Sequence, residues 1–103
     1  MKPTLGRTLL YILTAQDATF INNIPRSRSG GMGSTTAEGD VLPAVVVRIH
    51  DPKAERPLVN LKVLLDGNDD YWATSRTEGD GPGTWSWPPR EPEAKEKKDD
   101  PKA

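Results

Sequence analysis

The chain has 103 residues, a formal net charge of −1 and no cysteine. That length holds one domain, the balanced charge creates no global field toward nucleic acid or an anionic membrane, and the lack of thiols excludes disulfides, thiolate metal sites and a cysteine nucleophile. A small domain without disulfides is expected in a reducing interior.

Near the N-terminus, the apolar run Leu9–Leu13 is too short for a signal-peptide core and has no small-residue cleavage site after it. No stretch approaches the ~18–20 apolar residues of a membrane span, so a soluble protein is expected. Arg7–Leu13 reads as the first strand, with Leu9, Tyr11 and Leu13 on one face and Leu10 and Ile12 on the other. Apolar residues on both faces imply a strand covered on both sides.

A short helix should follow. Thr14 is a good N-cap, and Asp17 three residues later completes a capping-box pattern. Ala18 with Ile21, and Phe20 with Ile24, are apolar pairs at helical spacing. Pro25 ends the helix because the residue before proline avoids the α region. Residues 25–39 are rich in Gly, Ser and Thr and read as a flexible loop. Arg26 and Arg28 within it are spaced to fold over an anion, or are simply solvated.

The second half reads as a β-meander. Val41–His50 alternates, placing Val45, Val47 and Ile49 on one face and Ala44, Val46, Arg48 and His50 on the other. Asp51-Pro52 breaks that strand. Leu58–Leu65 alternates again, with Val59, Leu61, Val63 and Leu65 opposite Asn60 and Lys62. Asp66–Asp70 is a turn, Tyr71–Arg76 a strand, and Glu78–Gly83 a second turn. Thr84–Trp87 is a short last strand, stopped by Pro88-Pro89.

Residues 88–103 carry Pro and mixed charges, with no apolar face to offset the ~1–2 kcal/mol per residue that ordering costs, and read as a disordered tail. The expected architecture is therefore one mostly β (α+β) domain over residues 1–87. It is a small SH3-like barrel or a curled antiparallel sheet with one short N-terminal helix; an open sheet with the helix on one face is the alternative. A core of about 70 structured residues is marginal without metal or disulfides, so a homo-oligomer is expected.

Chemistry is poorly represented. The lone histidine, His50, lies at a strand end, and the chain lacks the nucleophile elbow that would make it a general base. Asp66, Asp69 and Asp70 lack EF-hand spacing and suit a tight turn. Gly79, Gly81 and Gly83 lack the lysine, hydroxyl and following helix of a phosphate loop, and read as a hairpin turn. No catalytic residue, metal site or cofactor is expected, which favours a binding function.

The aromatics are the strongest binding signal. If the last two strands pair, Trp85 and Trp87 approach Tyr71 or Trp72. Tyr71, Trp72 and Trp85 then form a candidate stacking platform. Arg48, Arg76, Arg26 and Arg28 would meet phosphates, and Asn68 and Asp69 would contact ribose or base edges. The competing reading is that these tryptophans fill the core, as they do in many small β domains.

Several segments together resemble a known family: Gly6-Arg7 with Tyr11, Leu13-Thr14, Asp17 and Ile21-Asn22; Glu38-Gly39-Asp40 through Pro43-Ala44-Val45-Val46-Val47-Arg48; Val59-Asn60-Leu61; Leu65-Asp66-Gly67-Asn68-Asp69; Tyr71-Trp72-Ala73-Thr74-Ser75-Arg76; and Pro82-Gly83 with Trp85 and Trp87-Pro88-Pro89-Arg90. The family is one of small uncharacterised proteins of tailed bacteriophages and prophages, and the resemblance extends over nearly all of residues 4–90. It implies a phage accessory protein in the host bacterial cytoplasm. By analogy with compact phage homo-oligomers, the expected function is non-enzymatic sequestration of a small nucleotide-type host immune signal, an anti-defence role. One alternative is an SH3-like adaptor for a host or phage protein. The other is a nucleic-acid-binding small barrel, which the near-neutral charge disfavours.

Overall fold

A computed structural model of the chain describes residues 2–25 and 35–89. Arg26, Arg28, most of the expected loop and nearly all of the expected tail lie outside the described residues. The elements run β1 (Thr8–Ile12), α1 (Ala15–Asn22), β2 (Val41–His50), β3 (Leu58–Leu64), β4 (Asp70–Arg76) and β5 (Trp85–Ser86). They form one antiparallel five-stranded sheet in the order β4-β3-β2-β1-β5. The fold is mostly β, as expected, and the sheet is curled rather than closed, because β4 and β5 are its two edges.

The inner face of the curl is the core. Leu9, Tyr11 and Leu13 of the β1 segment, Ala44 and Val46 of β2, Val59, Leu61 and Val63 of β3, Ala73 of β4 and Trp85 of β5 are all buried there. Helix α1 adds Ala18 and Ile21 to this cluster. Thr14 caps the helix as the sequence suggests: its hydroxyl accepts the Asp17 N–H at 2.9 Å, and the Asp17 carboxylate accepts the Thr14 N–H at 3.0 Å. Part of the expected loop is tied down at its far end. Thr36 exchanges hydrogen bonds with Asn22, and the Gly39 N–H donates to the Leu13 carbonyl at 2.9 Å.

Two β-bulges change the faces that simple alternation assigns. In β2 the register shifts between Val46 and Arg48, so Ala44, Val46 and Ile49 pack inward while Val47 and Arg48 are exposed. Grouping Val47 with Ile49 was therefore incorrect, since one extra residue reverses every later side chain. In the β3–β4 pair, Val59 faces Arg76 and Leu61 faces Ala73, so Thr74 and Ser75 together oppose Asn60. Ser75 takes up the extra length in the left-handed region, at φ 57°.

The last strand departs from a simple meander. Residues 77–84 are not a hairpin turn; they carry the chain across the end of the sheet so that β5 pairs with β1, with Tyr11 opposite Trp85. At that corner the Trp85 N–H donates to the Thr77 carbonyl at 3.1 Å and the Gly79 N–H to the Trp85 carbonyl at 2.9 Å. The crossover needs Gly83, which adopts φ +86°; a Cβ there would lie 3.2 Å from the Thr14 methyl and 3.4 Å from Arg76 Nη1. Burial of the Trp85 indole against Tyr11 drives this route, because a large aromatic gains most where the core is still open.

Candidate functional site

The candidate binding residues fall into three separate environments. Trp85 is 1% exposed and fills the core, with Trp87 packed edge-on at a centroid distance of 5.4 Å. It leaves no ring face open for a ligand to stack on, so its assignment to a stacking platform is corrected. Arg7 lies over the Trp87 ring at 5.2 Å, closing that side as well.

Tyr71 and Arg76 point inward, into a polar cluster built around Asp17. This carboxylate is 2% exposed and accepts hydrogen bonds from Tyr11 Oη at 2.6 Å, Tyr71 Oη at 2.5 Å and the Thr14 N–H at 3.0 Å. Arg76 Nη2 approaches Asp17 Oδ1 at 4.0 Å, and its guanidinium lies 5.6 Å from the Tyr11 ring centroid. Burial on its own would raise the Asp17 carboxyl, but the bonds from Thr14, Tyr11 and Tyr71 hold it below its ordinary value. Burial and the bond to Asp17 push Tyr71 up to about 12 and raise Tyr11 further still. Two protonated phenols and one ionised carboxylate make this an internal staple joining α1, β1 and β4. Both phenols are already committed to Asp17, and Arg76 adds only its longer 4.0 Å approach.

Sequence reasoning recognised Asp17 only as a helix cap. The signal for more was Tyr11, a phenol on a face of otherwise aliphatic core residues, because a buried hydroxyl must find a partner.

Trp72, Arg48 and Asn68 lie outside. Trp72 is 60% exposed on the outer face of edge strand β4, directly across from Lys62. Asn68 is exposed and Asp69 half-buried in the β3–β4 turn at the end of the same hairpin. Arg48 is exposed on β2 and borders a shallow apolar groove with Leu5, Val47 and Pro52. The structure thus brings Trp72 near the Asn68 turn but keeps Trp85 and Arg76 on the other side of the sheet.

The outer face that carries Trp72 at its edge is largely apolar over β2 and β1. Cross-strand pairs Leu10–Pro43 and Ile12–Val41 lie on it, as do Val45 opposite Lys62 and Leu64 opposite Asp70. Val41 is 51% and Leu64 44% exposed, and Leu10, Ile12 and Val45 are half-buried. This face explains the apolar residues on both sides of β1. Its charged residues at the paired positions of β3 and β4 are Lys62 and Asp70, 3.3 Å apart. A second apolar groove runs along α1, lined by Ala15, Thr19, Phe20, Ile24 and Pro25.

Among the described residues no group of three or more His, Asp or Glu is placed to hold a metal ion, and no helix is long and apolar enough to cross a membrane. No protein-family model matches the chain, and neither the curated proteins nor the solved structures contain a significant match to it.

Proposed function

We propose that the chain is a non-enzymatic binding module that docks onto another folded protein through the outer face of its sheet. The observation that carries this reading is Trp72, a large aromatic 60% exposed on the same sheet face as the exposed Leu64 and Val41. Exposed tryptophans set among apolar neighbours on an open face are the usual anchors of protein–protein contacts. With the resemblance noted above, the setting we propose is that of a phage accessory protein acting inside its bacterial host.

The test is a photo-crosslinking amino acid introduced at position 72 of the full chain in cells, with position 53 on the Asp51–Pro57 connection as control. Protein adducts specific to position 72 are expected. Their absence would overturn the docking reading.

A second reading is binding of a small nucleotide-type signal, and it keeps one supporting observation. Trp72 and Lys62 are cross-strand neighbours, so a stacking face and a cation lie side by side. Calorimetric titration with a panel of cyclic dinucleotides tests it. Binding that Trp72→Ser abolishes would favour this reading, and no binding across the panel would remove it for those ligands.

A further inference from the structure

The outer face of the sheet is built like half of an interface. It carries apolar side chains from β1 to β4, with Trp72 at its β4 edge, and among the described residues Trp72, Val41 and Leu64 on it stay exposed. We infer that its occupant is a second copy of this chain, the two sheets packing face to face about a two-fold axis with Trp72 at the contact. This inference rests on the docking reading and names the partner.

Charge selects a second copy. Lys62 and Asp70 stand beside Trp72 and Leu64, one cation and one anion at neighbouring positions of the face. The patch therefore has no net charge, and a strongly acidic or basic partner would gain nothing from it. Two copies related by a two-fold axis meet without like-charge repulsion, because Lys62 of one copy can reach Asp70 of the other while the reverse pair forms symmetrically.

The edge of the sheet selects the packing mode. β4 is an edge strand, and antiparallel addition of a second β4 would otherwise compete. The bulge at Thr74–Ser75 interrupts its ladder, with Ser75 left-handed and its N–H turned back to Asn60. Bulges of this kind protect edges against strand addition. Contact through the face is thereby favoured over contact through the β4 edge.

Size sets the strength. Four strands ~4.8 Å apart, each contributing about five residues at ~3.3 Å, give a footprint of roughly 300 Å² in projection. With side-chain relief this reaches the lower end of specific interfaces, ~600 Å² per partner. A reversible dimer with micromolar affinity is expected, so its mass must depend on concentration.

Sedimentation equilibrium of the full chain over the micromolar range reads this directly. The weight-average mass should rise from the 11.3 kDa of one chain toward twice that value. Trp72→Lys and Leu64→Glu should each hold it at one chain while thermal melts show the domain still folded. Lys62→Asp should also dissociate the dimer, and adding Asp70→Lys to it should restore association, since the exchanged pair is again complementary. A wild-type mass that stays at one chain throughout would overturn the inference. So would a dimer that survives both Trp72→Lys and Leu64→Glu. If the wild type is monomeric but the crosslinker at position 72 still captures a different protein, the docking reading stands and the second copy is wrong. If neither occurs, both fall.

Discussion

Asn60 Oδ1 accepts the backbone N–H of Ser75 at 2.8 Å, within the bulge that turns Arg76 to the inner face. It anchors the extra residue of the β4 bulge from the neighbouring strand. Past the bulge the alternation of β4 is reversed, so Arg76 joins Tyr71 and Ala73 on the inner face. The same amide oxygen accepts from His50 Nε2 at 3.1 Å, so the lone histidine serves as a strand-end support for the bulge.

Substitutions at these two positions should move stability in opposite directions. Asn60→Ala removes the acceptor and should cost about 1 kcal/mol, the net worth of a part-exposed hydrogen bond. Ser75→Gly relieves a left-handed serine and should stabilise by up to ~1 kcal/mol, since the conformational penalty exceeds the added chain entropy. Urea unfolding of the two variants measures both. Equal destabilisation would mean that the bulge is not held in the way described.

Asp17 is the centre of the internal staple, and its carboxylate needs to be charged. Asp17→Asn should destabilise by about 2–4 kcal/mol, because three donors lose a charged acceptor and Arg76 loses its counter-charge. The folded-state value lies below the unfolded one, so this stability is present above the ordinary carboxylate range and is lost as pH falls through the folded value. Wild type should therefore lose stability on acidification below about pH 4. Asp17→Asn should show a flatter acid limb, and an unchanged limb would remove Asp17 as its source.

Alkaline titration tests the same cluster from the other side. Tyr71 titrates near 12 in the folded protein against 10.0 when unperturbed, and Tyr11 is raised as well. A raised value gives stability that is fully present below the unfolded value and lost as pH climbs to the folded one. Stability should therefore fall between about pH 10 and 12. Tyr71→Phe should reduce that slope while lowering stability at neutral pH by about 1 kcal/mol. Thermal melts across this range decide it.

Trp72 and Trp85 should behave as opposites. Trp85→Ala opens the core and should cost about 3–5 kcal/mol. Trp72→Ser changes an exposed residue and should shift stability by no more than ~0.5 kcal/mol. At concentrations where the chain is monomeric, acrylamide quenching should find Trp72 the most accessible of the tryptophans, ahead of the half-buried Trp87, and that component should vanish in Trp72→Ser. A large loss of stability in Trp72→Ser, measured where the wild type is monomeric, would show that the outer face is covered within a single chain.

Local signals in the sequence were enough for the elements of this fold. The Thr14–Asp17 cap and the turn residues around Asp66–Asp70 act within a few positions of themselves, and the elements start and stop beside them, whereas the helix ends at Asn22, before the expected stop at Pro25. The buried alternation of Val59, Leu61 and Val63 was legible for the same reason, because β3 has a regular period of two. Tertiary structure alone decided three things. Two bulges reset the faces of β2 and β4, and a bulge depends on the strand alongside, not on the strand that contains it. The strand order sent β5 to β1, since an eight-residue crossover allows more than one pairing and core burial of Trp85 chose between them. The candidate site was divided as a consequence: side chains adjacent in sequence, such as Tyr71 and Trp72, face opposite sides of the sheet, one bonded to Asp17 and the other open to a partner.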